Sequence, residues 1–69
     1  MRHLAKRSFS LAGHRTSVAL EPEFWFVLET IARGEGKSLA GLVAALDATR
    51  DPTQPLASTL RVAALRGRG

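Results

Sequence analysis

The sequence contains no cysteine and only two histidines, His3 and His14, among its 69 residues. Disulfides and thiolate metal sites are therefore excluded. No carboxylate lies near either histidine in the sequence, so we expect no structural metal and no cofactor. A lone chain of this length buries only about 60% of its unfolded surface, and small proteins compensate with disulfides, metals or oligomerisation. Oligomerisation is the remaining route, so we predict a dimer.

The sequence also lacks a long apolar run. No stretch approaches the ~20 residues that span a bilayer, and the N-terminal stretch lacks the apolar segment of a secretory signal peptide. We therefore expect no membrane partner, and the absence of cysteine fits a reducing cytoplasm. Residues 1–20 contain no acid, as in a mitochondrial presequence. Removing them would leave too little chain to fold, so a cytoplasmic location is favoured.

Catalytic motifs are absent as well. The sequence shows no nucleophile–base pair, no paired carboxylates in an apolar setting and no glycine loop that could cradle a phosphate. The run Gly34-Glu35-Gly36 is interpreted as the end of a helix. We predict that the protein is not an enzyme.

The net charge of +4 is distributed in blocks along the chain. Residues 1–20 carry four cations and no acid, and residues 52–69 carry three arginines. Residues 21–51 carry six acids against three cations, which gives −3. Basic ends around an acidic middle indicate nucleic acid or an anionic surface as partner. Charge alone supports equally well the alternative that the basic ends only keep a small protein soluble.

Residues 15–20 alternate between two kinds of side chain, which predicts a strand whose apolar face comprises Thr16, Val18 and Leu20. Upstream, Phe9 and Leu11 also alternate with polar residues, but with the opposite parity. Gly13 between the two stretches is therefore expected to mark a bulge or a tight turn. Residues 1–14 form either a basic N-terminal arm or a short first strand.

Helical periodicity follows the strand. Pro22 suits the first turn of a helix, and apolar spacing predicts that this helix runs from about Pro22 to Arg33. Ser38 is the predicted N-cap of a second helix that ends near Arg50, before Asp51-Pro52. Residues 56–66 can form a third helix. The chain thus divides into an N-terminal segment at 1–14, a strand–helix–helix core at 15–51, and a loop with a C-terminal helix at 52–69.

A single strand before two helices lacks a ladder partner, and even an isolated hairpin is marginal in water. Two chains solve this if their strands pair antiparallel across a two-fold axis. We therefore predict a mainly α fold with a short β-strand, in an intertwined homodimer with an intermolecular two-stranded antiparallel ribbon. The outward side chains of such a ribbon fit the major groove of DNA. The expected dimer core comprises Thr16, Val18, Leu20, Phe24, Leu28, Ile31, Leu39, Leu42, Val43 and Leu46.

Two runs of the sequence carry a family resemblance. Residues 15–25, Arg-Thr-Ser-Val-Ala-Leu-Glu-Pro-Glu-Phe-Trp, and residues 36–39, Gly-Lys-Ser-Leu, resemble the ribbon-helix-helix superfamily of Arc-, MetJ- and CopG-like repressors. Within it, the chain is most similar to a bacterial Arc-like group, over about residues 7–65. The resemblance implies a cytoplasmic, nucleoid-associated transcriptional repressor or regulator. It implies double-stranded DNA as the partner of a homodimer, which could also form paired dimers on adjacent half-sites.

The resemblance also implies which residues contact DNA. Three alternating outward strand residues touch bases in the superfamily, and their counterparts here are Arg15, Ser17 and Ala19. Arg15 could pair with guanine, whereas Ala19 departs from the usual polar residue and offers only apolar contact. The superfamily clamps a phosphate at the start of the second helix, a place occupied here by Lys37, Ser38 and Leu39. A flexible arm could follow the DNA backbone with Arg2, Lys6 and Arg7.

Other interpretations stay open. An antitoxin-like or other interaction module would bind a partner protein through residues 56–66, and packing of this segment on its own protein would instead favour a DNA binder. A relative that has lost DNA binding is a further alternative, because of Ala19. Trp25 is expected in the core rather than as a stacking platform for bases. Phe26 falls on the polar side of its helix, where it covers the third segment or marks a contact surface.

Overall fold

The computed structural model describes residues 3–67, so the predicted phosphate contact of Arg2 lies outside the described residues. A two-stranded antiparallel sheet is followed by three helices. This order confirms a ribbon-helix-helix arrangement with a third C-terminal helix. The elements are β1 Ala5–Leu11, β2 His14–Leu20, α1 Pro22–Gly34, α2 Leu39–Ala48 and α3 Leu56–Gly67.

The two strands form a hairpin that is closed by the two-residue turn at Ala12 and Gly13. The φ angles of these residues are 50° and 81°, and the type I′ turn that suits strand twist needs positive φ at both positions. Gly13 therefore marks a tight turn, which is one of the two predicted alternatives. The register runs from the pair Leu11–His14 beside the turn to the pair Ala5–Leu20 at the far end.

This register explains the opposite parity of the two apolar sets. Directly opposed residues of an antiparallel pair share one face of the sheet, and Phe9 lies opposite Thr16 while Arg7 lies opposite Val18. One face, which we call the inner face, therefore carries the four buried sheet residues Phe9, Leu11, Val18 and Leu20.

The ribbon forms within one chain, where the sequence predicted pairing between two chains. β2 finds its ladder partner in β1, because the two-residue turn returns the chain at the correct register. The expectation of a flexible basic arm at Lys6 and Arg7 is corrected, since both residues lie in β1.

The connection between α1 and α2 is held by backbone hydrogen bonds. Gly36 has a φ of 71°; its N–H donates to the carbonyl of Arg33 at 3.1 Å, and the N–H of Lys37 donates to the carbonyl of Ala32 at 2.8 Å. These are the two bonds of a Schellman helix end. Ser38 then caps α2, because its hydroxyl accepts a hydrogen bond from the N–H of Gly41 at 3.0 Å. The predicted helix stop and the predicted cap are both confirmed.

The core is complete within a single chain. Of the residues expected in a dimer core, five are buried here: Val18, Leu20, Leu28, Leu42 and Val43. The other five are half-buried: Thr16, Phe24, Ile31, Leu39 and Leu46. Trp25 and Ala32 of α1, and Leu60 and Ala64 of α3, complete this core. The premise that one strand and two helices leave the chain incomplete is therefore corrected, because β1 and α3 supply the missing surfaces.

The third helix is an integral part of this core. α3 packs against α1, α2 and β2, and its Leu60 has no exposed surface. The guanidinium of Arg61 also donates to the carboxylate of Glu21 at 3.2 Å, which links α3 to the residue between β2 and α1.

We expect Leu60→Ala to lower the free energy of unfolding by about 2–5 kcal/mol, because it opens a cavity in a closed core. Leu65→Ala removes the same atoms from a side chain that is 59% exposed, and it should change stability by less than about 0.5 kcal/mol. Urea unfolding followed by circular dichroism measures both. Similar losses for the two variants would contradict the packing of α3.

A substitution in the turn is expected to raise stability rather than lower it. Ala12 adopts a left-handed conformation, which costs a residue with a Cβ atom roughly 1–2 kcal/mol. Asparagine tolerates this conformation better, and Asn-Gly is a preferred pair for this turn. Ala12→Asn should therefore raise the thermal midpoint, whereas the β-branched Ala12→Val should lower it. A midpoint that falls in the asparagine variant would argue against this turn.

Candidate nucleic-acid interface

The face of the hairpin that points away from the helices is polar. We call it the outer face, and its residues are Lys6, Ser8, Ser10, Arg15, Ser17 and Ala19. All are exposed except Ala19, which is half-buried. The outer face thus presents two cations, three hydroxyls and one methyl group, and none of its side chains is acidic.

Each predicted base-contact position has a neighbour on β1. The hydroxyls of Ser8 and Ser17 lie 2.9 Å apart, and Nη1 of Arg15 donates to the hydroxyl of Ser10 at 3.4 Å. Sequence reasoning placed Arg15, Ser17 and Ala19 on one face but missed Ser8 and Ser10. Their alternation with Phe9 and Leu11 was the available signal, and it becomes informative only once the strand pairing is known.

The two neighbouring cations of β1 point to opposite sides of the sheet. Lys6 belongs to the outer face, opposite Ala19. Arg7 belongs to the inner face, where its Nη1 lies 2.7 Å from the carboxylate of Glu29 and its guanidinium lies 5.3 Å from the ring centre of Trp25. The structure therefore separates two residues that the sequence grouped in one arm.

Trp25 packs against the inner face of the sheet. Its indole is 1% exposed, its Nε1 donates to the carbonyl of Ala5 at 2.7 Å, and its ring lies 5.8 Å from that of Phe9. The prediction that Trp25 is a core residue is confirmed. These contacts hold β1 against α1, so the outer face rests on a packed layer rather than on a loop.

Glu21 lies directly after β2. A hydrogen bond from its own backbone N–H, followed by the hydrogen bond and charge of Arg61, lowers the pKa of its carboxyl group below the ordinary value. The carboxylate therefore stays ionised at neutral pH, and its negative charge is offset by Arg61.

The start of α2 brings together the residues predicted to clamp a phosphate. Nζ of Lys37 lies 3.3 Å from the carboxylate of Glu35, with both side chains about half exposed. The N–H groups of Leu39 and Ala40 have no acceptor within a helix that begins here, and the helix dipole makes this end positive. A cleft of about 290 Å³ beside it is lined by Glu29, Ala32, Arg33, Lys37 and Leu39. Arg33 is a second cation that sequence reasoning did not include.

Phe26 is the most exposed large apolar side chain of the described residues, at 70%. Such exposure does not fit a side chain that covers α3, and the other alternative, a contact surface, stays a prediction. Within residues 3–67 no group of three or more histidines or acids is arranged to hold a metal ion. No helix in this stretch of the chain is long and apolar enough to cross a membrane.

Comparisons with known proteins agree with this architecture. A family model described as a ribbon-helix-helix domain matches residues 4–67. The solved structure of an uncharacterized protein from Bordetella pertussis Tohama I is similar, with a TM-score of 0.79 and 34% sequence identity. The match covers 94% of this chain and 55% of that chain, so the chain spans about half the length of this relative. No match was found among curated proteins.

Proposed function

The chain belongs to the ribbon-helix-helix domain family, whose members generally bind DNA and regulate transcription, and on that premise we propose that it is a sequence-specific DNA-binding homodimer. It would act as a transcriptional repressor or regulator at the bacterial nucleoid, and not as an enzyme. The observation that carries the proposal is the acid-free outer face of the hairpin. A solvated polar face is ordinary for a small sheet, but this one combines cations, hydroxyls and strand geometry in one surface.

The chemistry of the outer face suits base edges in the major groove. A β-ribbon fits this groove, where each base pair presents a distinct set of donors and acceptors. Arg15 can donate two hydrogen bonds to guanine, and Ser17 can either donate or accept. Ala19 can contact a thymine methyl group. We propose these three residues of β2 as the base contacts.

The free edge of β2 supports a dimer. The residues that flank a two-residue turn, here Leu11 and His14, form a hydrogen-bonded pair, and such pairs alternate with non-hydrogen-bonded pairs along the ladder. The backbone groups of Arg15, Ser17 and Ala19 therefore point to the other edge of β2. A second copy that pairs antiparallel there would satisfy them and place both outer faces on the same side.

The edge of β1 is less suited to this pairing. Natural sheets protect their edges with lysine and with charged residues that point inward, and β1 carries Lys6 and the inward-pointing Arg7. β2 has no lysine and no inward-pointing arginine or acid. The two edges thus differ in the way expected if only the edge of β2 binds a second copy.

The composition of α2 supports further assembly. Asp47 is its only charged residue, and a helix that is apolar all round is normally buried. Its exposed residues are nevertheless all small: Ala40, Gly41, Ala44, Ala45 and Ala48. Contact between dimers on adjacent half-sites would cover this surface.

Phosphate contacts would supply the sequence-independent component of the affinity. We propose Lys37, Ser38 and Leu39 for this role, because a helix start combines free N–H groups with a positive dipole end. The alternative function, capture of a partner protein by residues 56–66, is disfavoured because α3 packs on its own chain.

We expect Arg15→Ala to weaken binding by about 1–3 kcal/mol and to reduce sequence preference, because it removes a base contact. Lys37→Ala should instead weaken binding to all duplexes alike and lower the slope of log K against log salt by about 1 for each phosphate that is no longer neutralised. Selection from a pool of random duplexes, followed by salt titration, measures both quantities. Unchanged affinity and preference in Arg15→Ala would sink its assignment as a base contact.

The dimer edge is tested with two matched proline variants. Ser17→Pro removes an N–H from the free edge of β2, and Ser8→Pro removes one from the outer edge of β1, although the two residues face each other in the hairpin. Proline is tolerated where an edge N–H faces solvent. Sedimentation should therefore find Ser17→Pro folded and monomeric and Ser8→Pro dimeric. The reverse pattern would place the dimer contact on β1, and a monomeric wild-type protein would contradict the dimer.

A further inference from the structure

A second copy on the free edge of β2 would create a four-stranded sheet. Its order would be β1-β2-β2-β1, with the two β2 strands at the two-fold axis. Neighbouring strands lie about 4.8 Å apart, so the two β1 strands would lie about 14 Å apart. The major groove is only about 12 Å wide. The central pair of strands fits into the groove, whereas the two β1 strands come to lie over its walls, where the phosphates run.

The side chains of β1 suit that position. Its three outer-face residues, Lys6, Ser8 and Ser10, are exposed and have the donors that proteins use on phosphates. Lys6 provides a compact positive charge, and none of the three is acidic. Arg15 and Ser17 of β2, by contrast, have the donors and acceptors that read base edges.

We propose that β1 is a phosphate-binding strand, in which Lys6 of each chain neutralises a DNA phosphate at the edge of the major groove. This inference rests on the proposed function and on the dimer edge at β2. The hydroxyls of Ser8 and Ser10 contact Ser17 and Arg15. A phosphate bound along β1 therefore also restrains the two polar side chains that face the bases.

Binding through the four-stranded sheet differs from binding in which one hairpin alone enters the major groove. A single two-stranded hairpin is narrow enough to place both of its strands over base edges. Lys6 would then read bases next to Ala19, and its removal would alter sequence preference. In the four-stranded sheet Lys6 affects affinity and salt dependence only.

The test compares Lys6→Gln with Arg66→Gln, each of which removes one positive charge from an exposed side chain. Arg66 lies on α3, which packs on the opposite side of the sheet, so it controls for net charge. Binding is measured over a range of salt concentrations, on a duplex selected by the wild-type protein and on an unrelated duplex. Each phosphate contact contributes about 0.9 to the salt slope. Lys6→Gln should therefore reduce the slope by about 1.8 per dimer on both duplexes, and Arg66→Gln should leave it unchanged.

The outcomes separate this inference from the function on which it rests. A wild-type salt slope in Lys6→Gln would place β1 away from the DNA, and an altered sequence preference would place it over the bases; either result overturns the inference while DNA binding stands. An equal loss of salt slope in both variants would mean that only the net charge of the protein matters, and this result would also overturn the inference. Failure of the wild-type protein to select any sequence would refute the proposed function itself. Circular dichroism confirms that each variant is folded.

Discussion

The two-residue turn at Ala12 and Gly13 determines which side of the sheet is apolar. With this loop length, Phe9 and Leu11 share a face with Val18 and Leu20 although their sequence parities differ. A shift of one residue in the register would move one of these sets to solvent and place serines against α1. The core and the polar outer face are therefore consequences of one local constraint, met by two residues with positive φ.

Trp25 holds the paired strands against α1. It contacts β1 by a hydrogen bond to the carbonyl of Ala5, by ring packing on Phe9 and through the guanidinium of Arg7. Three kinds of interaction thus converge on one side chain of α1. They also explain the different surroundings of two adjacent cations. Both are exposed, but Arg7 contacts Glu29 and Trp25 of α1, whereas Lys6 lies on the other face of the sheet.

The elements that depend on local chemistry were predictable from the sequence. The cap at Ser38, the glycine stop after α1 and the third helix follow from residues close to one another in the chain. The hairpin could not be decided from the sequence, because its pairing depends on a turn that contains alanine where asparagine would have been the clear signal. For the same reason, Ser8 and Ser10 could not be assigned to the outer face from the sequence. Arg15, Ser17 and Ala19 could be placed on one face because alternation within a single strand requires no partner.

The complete core of the single chain changes the reason to expect a dimer. Folding no longer demands one, since β1 and α3 supply the surfaces that the strand and first two helices lack. Recognition does. A good bidentate base contact contributes about 1–3 kcal/mol of discrimination, whereas specific sites are distinguished from other DNA by about 4–10 kcal/mol. One copy of β2 offers one arginine, one serine and one alanine on its outer face, which falls short of that range. A two-fold axis doubles the set without adding a residue, so the small number of proposed base contacts on β2 is itself an argument for the proposed dimer.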